Sequence, residues 1–301
     1  MTERLAWARA HAQDVRRVAM CEPRGHAGLR GAILTEPGDT TAHAGVLFMD
    51  ADDYHAGSVH GAMATAALAR DYGLITTGDA TLRLDTAAGV VQVTTTAGDA
   101  VRTGARVSIA SVPAFVARGG LALAVAGRAL RADVAYGGDF YAIVDAESAG
   151  VSIDGTRDAD LQRLARAVAD AIAPHRITQH PTRPELTGLR GVVFTGPAQR
   201  SPAEFRSVVV TTAGRVSRGV SGSGMAAVLA VLDAMGLPLD DGITLEGALG
   251  TTLAGRVGGR VALDEVPAIV PVLSSTVWLT GEHTLVCADG DRLLRDDDRE
   301  V

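Results

Sequence analysis

The chain has 301 residues, a net charge of −7, and 47% hydrophobic against 21% charged residues, the balance of a soluble globular protein with room for one large domain or two ordinary ones. All 28 basic residues are arginine, so pyridoxal-phosphate and Schiff-base chemistry, which need a lysine amine, and a Walker A site are excluded. The acidic balance without a basic run argues against a nucleic-acid surface, and Cys21 and Cys287, with no CxxC, indicate neither a thiolate zinc site nor a disulfide framework.

The first segment, "MTERLAWARAHAQDVRR", is charged throughout and lacks the apolar core and cleavage site of a signal peptide. No apolar run reaches membrane-spanning length without a charge or a glycine, so a cytoplasmic protein is expected. "GVLFM" (45–49) reads as a short strand, and "SVHGAMATAALARDYGL" (58–74) as an almost uncharged helix closed by glycine. "TLRLDTAAGVVQVTTTAG" (81–98) alternates on both sides of an Ala-Gly turn, the pattern of a hairpin. Strands are expected next at 106–112, 121–127 and 133–146. "DADLQRLARAVADAIAP" (158–174) places Leu161, Leu164, Ala165, Val168 and Ile172 on one stripe and ends at Pro174, a surface helix packed on a sheet. Strands at 191–196 and 207–212 precede a second apolar helix, "SGSGMAAVLAVLDAMGL" (221–237). "AIVPVL" and "TVWLTGEHTLVCA" complete the strand pattern.

The two apolar helices share a pattern. Ser58, Gly61, Ala64, Ala67, Gly73 and Leu74 recur as Ser221, Gly224, Ala227, Ala230, Gly236 and Leu237. A helix apolar on every face and too short to span a bilayer is the buried axis of a domain. Two of them imply two similar strand-rich halves. Their N-termini, "SVHG" and "SGSG", offer unpaired N–H groups, the positive dipole end and small side chains, which together suit a carboxylate. Two ordinary N-caps would look the same, because serine and glycine are common there.

"EPRGHAGLRGA" (22–32), "GVLFMDADDYHAGSVHGAMATAA" (45–67), "VAYGGDFYAIVDA" (134–146), "GVVFTGPA" (191–198), "FRSVVVTTAGRVSRGVSGSGMAA" (205–227) and "PAIVPVLSSTVWLTGEHTLV" (267–286) resemble, in order, the proline racemase family. That family includes proline racemases, 4-hydroxyproline epimerases and trans-3-hydroxyproline dehydratases. The resemblance implies an α/β (α+β) fold of the diaminopimelate-epimerase type, two pseudo-symmetric halves each wrapping strands around a central helix, with the active site in the cleft between them. Residues 1–145 with about 275–301 would form the half around the helix from Ser58, and 146–274 the half around the helix from Ser221. It also implies cofactor-independent abstraction of an amino-acid α-proton, the substrate carboxylate being held by helix N-termini. A homodimer is compatible with it; no nucleic-acid or membrane partner is expected.

Family racemases use two cysteines, in motifs resembling MCGHG and DRSPCGTG, because a thiol of pKa about 8.5 can serve as acid or base. Matched motif to motif, those cysteines fall on Ser58 and Ser221. The glycine after the first becomes Val59, while His60 and Gly61 are kept. The aspartate of the second motif, which contacts the ring nitrogen in the family, falls on Ser217; Arg218 is retained, and proline becomes Val220. The asparagine of the GGNF stretch falls on Asp139. An alcohol cannot abstract an α-proton unaided, so two-thiol racemisation is not expected. A lyase resembling the dehydratase branch needs only one base and an acid for the leaving hydroxyl. The base would be His60, a Ser58–His60 pair or Asp139. The alternatives are a divergent isomerase or lyase on another small carboxylate, and an inactive homologue that binds one. The expected catalytic residues are Ser58, His60, Ser221 and Asp139, and the substrate-binding ones Val59, Gly61, Ser217, Gly222, Ser223 and Gly224, with the amides of Val59, His60, Gly222 and Ser223 on the carboxylate.

Other signals are bland. "GVSGS" around Ser221 lacks the last glycine of a nucleophile elbow. His55 and His60 with Asp52 and Asp53 match no metal-ligand spacing and read as a solvated loop. Cys21 reads as a small buried hydrophobe. On an alternating strand, Asp139 could equally turn to solvent, and His60 could be a structural histidine at a helix start.

Overall fold

The structure, a computed structural model, describes residues 1–291 apart from 97, 126, 156, 157, 240 and 289. Its contacts divide it into two compact units, residues 1–109 with the described part of 276–301, and residues 110–275. No helix among the described residues is long and apolar enough to cross a membrane.

The first unit runs α1 (Thr2–His11), α2 (Gln13–Met20), β1 (Gly31–Thr35), β2 (Ala44–Met49), β3 (Tyr54–His55), α3 (Val59–Asp71), β4 (Thr81–Thr86), β5 (Gly89–Thr95) and β6 (Ala105–Ala110). The strands lie in the order β1-β2-β4-β5-β6, with β3 on β2. The β1–β2, β2–β3 and β4–β5 ladders are antiparallel and β2–β4 is parallel. Helix α3 packs on β1, β4 and β5. Its buried residues are Val59, Ala62, Met63, Thr65, Ala66, Ala67 and Ala69, most of them small, which lets strands approach it closely.

The second unit runs β7 (Phe115–Val125), β8 (Arg128–Tyr136), β9 (Phe140–Asp145), α4 (Asp158–Ile172), β10 (Leu189–Pro197), β11 (Phe205–Thr211), α5 (Gly222–Ala234), β12 (Ile243–Glu246), β13 (Thr252–Leu263) and β14 (Val266–Val277). The sheet order is β14-β13-β12-β11-β10-β9-β8-β7, with β9–β10 and β11–β12 parallel. Strand residues alternate between two helices. Ala135, Tyr141, Ile143, Val193 and Val209 pack with Ala227, Val228 and Val231 of α5. Val134, Ala142, Val144, Val192, Phe194, Val208 and Val210 pack with Leu161, Ala165, Val168 and Ile172 of α4. Both faces are buried, which is why these strands read as unbroken apolar runs rather than alternating ones.

Each central helix begins and ends in the same way. The Ser58 Oγ accepts the Gly61 N–H at 3.1 Å, and the Ser221 Oγ accepts the Gly224 N–H, also at 3.1 Å. At the other end, Leu74 N–H reaches Ala69 O at 2.8 Å and Leu237 N–H reaches Leu232 O at 3.1 Å, six residues closing on one. Gly73 and Gly236 stand between, at φ +64° and +80°. This is the Schellman closure, which needs a residue that tolerates left-handed backbone.

Four features depart from the sequence pattern. Helices α1 and α2 and strands β1, β12 and β13 are additional to the elements read there. The 133–146 run is two strands, β8 and β9, separated by a tight turn with Gly138 at φ +110°. Residues 278–288 form no strand; Leu279 N–H meets Val101 O at 2.8 Å and the Glu282 carboxylate takes Tyr72 and Arg102, anchors that leave no ladder. Finally, the unit boundary precedes β7, because β9 forms its parallel ladder with β10 and ties β7 and β8 to the strands of the second unit.

The paired closures can be tested. Gly73→Ala and Gly236→Ala should each destabilise the protein by about 1 kcal/mol, because a Cβ is disfavoured at positive φ while nothing nearby obstructs it. Urea unfolding of the two variants, with unchanged slope, would show it.

Candidate active site

In the first unit, Ser58 caps α3 from extended backbone, at φ −155° and ψ 116°. Val59 and His60 follow as the first two helical residues, and their N–H groups make no hydrogen bond within the described protein. The Gly61 N–H, by contrast, is taken by the Ser58 side chain. Val59 occupies ordinary helical backbone with its side chain buried, so valine is accommodated there without left-handed strain. The His60 ring is open at the surface while the protein behind it removes water from one side. That desolvation, followed by the nearby Arg30 charge, lowers its pKa, so the imidazole is neutral at neutral pH.

The approach to this helix is fixed by a buried carboxylate. The fully buried Asp50 accepts the N–H groups of Asp52 and Asp53 at 2.8 and 3.2 Å. Its other oxygen meets His55 Nε2 at 2.8 Å and Arg30 Nη1 at 3.0 Å. Burial by itself would raise the Asp50 pKa; the His55 hydrogen bond and charge, the Asp52 amide and Arg30 outweigh it and hold the carboxyl well below the carboxylate range. Asp53 pairs with Arg9 at 3.0 Å. The 50–55 loop is therefore an ion-paired brace rather than a solvated loop, and no cluster of His, Cys, Asp or Glu suited to a metal occurs among the described residues. Cys21 is half-buried rather than buried, its thiol 3.6 Å from Ala51 O.

In the second unit, Ser221 caps α5 and Gly222 and Ser223 follow, with the Gly224 N–H held by the cap. The amides of Gly222 and Ser223 likewise make no hydrogen bond within the described protein. The β8–β9 turn lies on this first helical turn: a Cβ at Gly137 would come within 2.3 Å of Ser223 O and 2.5 Å of Ala227 N, so only glycine fits. Asp139 belongs to that turn, half-buried, rather than to an alternating strand. Ser217 spends its hydroxyl on the backbone: it accepts the Val209 N–H at 2.9 Å, while its own N–H meets Val209 O at 2.8 Å.

One functional group is additional to those read from the sequence. The Tyr141 hydroxyl lies 2.8 Å from Ser223 Oγ, which in turn lies 3.5 Å from Ser221 Oγ. Burial first, then the Asp139 charge, push the Tyr141 phenol up to about 12 against the opposing hydrogen bonds of Ser223 and Ser221, so it stays protonated. The apolar run "FYAIVD" marks Tyr141 only as a buried strand residue; its tie to Ser223 depends on α5 packing over β9.

Compared with known proteins, residues 1–295 match the family model described as proline racemase. The chain belongs to the proline racemase family. Within it, the chain is 33% identical over 285 residues to a 4-hydroxyproline 2-epimerase of Streptosporangium roseum, covering 93% of this chain and 85% of that one. It is 29% identical over 297 residues to a trans-3-hydroxy-L-proline dehydratase of Bacillus cereus, covering 97% and 88%. Among solved structures, a hydroxyproline epimerase from Agrobacterium vitis with bound trans-4-hydroxy-L-proline superposes with a TM-score of 0.75 at 25% identity, covering 91% of this chain and 80% of that one. The proline racemase family fold accordingly accounts for the α/β construction of both units, with a capped central helix in each.

The Asp50 brace predicts a pH-dependent stability. A carboxyl with a depressed folded pKa stabilises the protein fully above the unfolded value of about 4, and that contribution is lost as pH falls towards the folded value. Asp50→Asn should cost about 3 kcal/mol at pH 7, as removal of one partner of a buried pair does. The difference from wild type should shrink below pH 4 in urea titrations.

Proposed function

We propose that this chain is an enzyme that removes the α-proton of a proline-like or hydroxyproline-like amino acid without a cofactor, as a dehydratase-like lyase. The observation that carries the reading is the first turn of α3, where open amides at Val59 and His60 adjoin a histidine with a lowered pKa. Those amides and the dipole suit a carboxylate, and a neutral imidazole suits the proton beside it. In this reading His60 takes the α-proton, the electron pair forms a C2=C3 double bond, and the β-hydroxyl leaves as water with a proton from a serine hydroxyl. Gly222 and Ser223 supply carboxylate-binding amides, and Asp139 and Ser217 stand as further polar contacts at the second helix. Relatives named as a dehydratase and as an epimerase support the substrate class alike. The lyase preference comes from the serines at 58 and 221, since dehydration needs one base where epimerisation needs two. We place the protein in the cytoplasm.

A second reading, a small-carboxylate binder that no longer turns its ligand over, is favoured by the caps themselves: each serine oxygen already accepts a helix N–H. The two readings separate in proton NMR in D₂O with L-proline, trans-4-hydroxy-L-proline and trans-3-hydroxy-L-proline in turn. The expected result is loss of the α-proton signal of trans-3-hydroxy-L-proline with release of a dehydrated product, and at least a hundredfold lower rate in His60→Ala. Because the His60 pKa is lowered, the rate should rise with pH with its midpoint below pH 6.5, the usual histidine value. Exchange without elimination would assign an epimerase, and no exchange with any of the three would remove the enzymatic reading.

A further inference from the structure

The two capping serines carry the same cap bond but not the same surroundings. A hydroxyl has one proton to donate and two lone pairs to accept with. Ser58 uses one lone pair, on the Gly61 N–H, and its side chain has no other partner within the described protein. Ser221 uses one on the Gly224 N–H at 3.1 Å and faces a second hydroxyl, Ser223 Oγ, at 3.5 Å.

The direction of that second contact is decided one residue further on. Tyr141 is 3% exposed, and among its hydrogen bonds the shortest is to Ser223 Oγ, at 2.8 Å. A buried hydroxyl keeps its proton in a hydrogen bond. The serine pair is what stands in front of this phenol, so the tyrosine donates and Ser223 accepts. Ser223 then has its own proton to place, and the Ser221 hydroxyl lies within reach. With Ser223 donating to it and the Gly224 N–H on its other lone pair, Ser221 is left with a proton to give. Each hydroxyl in such a chain also polarises the next.

We propose that Tyr141 is a positioning residue which, acting through Ser223, sets the direction of a three-hydroxyl chain so that Ser221 serves only as a proton donor to the substrate. The inference rests on the functional reading above and sharpens it by separating the acid, Ser221, from the base. Dehydration is balanced by this division. Once the base has taken the α-proton, the C–H pair becomes the double bond, and the departing β-hydroxyl takes the Ser221 proton to leave as water. The base then gives its proton to solvent and Ser221 regains one from solvent, so Ser223 and Tyr141 keep theirs and the chain keeps its direction. A two-base epimerisation is not served by it, because a serine with both lone pairs occupied cannot take a proton.

Two measurements test it. Neutron diffraction from deuterium-exchanged crystals of the unliganded wild type reads the chain directly: the expected map has the Tyr141 deuteron on the Ser223 side and the Ser223 deuteron directed at Ser221 Oγ. The reverse order overturns the proposal whether or not the protein is an enzyme. Kinetics read its consequence. Tyr141→Phe and Ser223→Ala should each lower kcat on trans-3-hydroxy-L-proline about tenfold with KM unchanged, and the double variant should lose no more than either one. Ser223→Thr, which restores the hydroxyl, should recover the rate. Full activity in Tyr141→Phe, or a double loss equal to the product of the single losses, sinks the relay. If the wild type turns over none of the three amino acids, the enzymatic reading fails, and the neutron map alone decides the direction of the chain.

Discussion

The constraint on which the rest depends is the burial of a helix that has no polar face. An isolated amphipathic helix can rest on a sheet, but α5 and α3 hide most of their circumference and must be surrounded. Their alanines and glycines let strands come close, and the strands that do so are apolar on the side that meets them. The ends then become critical, since a buried helix terminus cannot leave its backbone groups to water. The serine caps and Schellman closures answer that requirement with the same bonds in both units.

Capping and chemistry compete for the same atoms. A serine that accepts a helix N–H has committed one of its lone pairs, and the third helical amide with it. What stays open is the pair of amides ahead of it, at Val59 and His60 in one unit and Gly222 and Ser223 in the other. The cap thus leaves two amides open, and the proposed carboxylate site rests on that pair. In the same proposal the serine keeps to hydrogen bonding, and the base is His60, beside Ser58. The chain's membership of the proline racemase family supports that class of chemistry.

Around each cap the fold adds a brace. At α3 it is the buried Asp50, which gathers two loop amides, His55 and Arg30 and so fixes the chain just before the helix. At α5 it is the β8–β9 turn, where Gly137 lies against the helix backbone and carries Asp139 with it. The braces differ in chemistry although the helices repeat, so the local environments of Ser58 and Ser221 are not copies. Inequivalent surroundings are what allow two like residues to take different roles.

The sequence by itself determined the two apolar helices, their serine starts and glycine ends and the stripe of α4, because each is carried by spacing along the chain; the family came from motifs whose resemblance runs in order along it. Helix period, cap residue and closing glycine are local properties, and they survive in any packing that buries the helix. Only the tertiary structure decided the rest. Asp139 and the 133–146 run needed the two-glycine turn to be seen against α5. Ser217, matched to a substrate contact, also ties its hydroxyl and its amide to Val209. The 50–55 loop looked like solvated charge because nothing in its spacing reveals that Asp50 is buried with Arg30 and His55 around it. Tyr141 stood in an unbroken apolar run, and its hydroxyl meets Ser223 only because α5 packs across β9. Contacts between residues far apart in the chain are set by which faces pack together, and pattern along one segment does not carry that information.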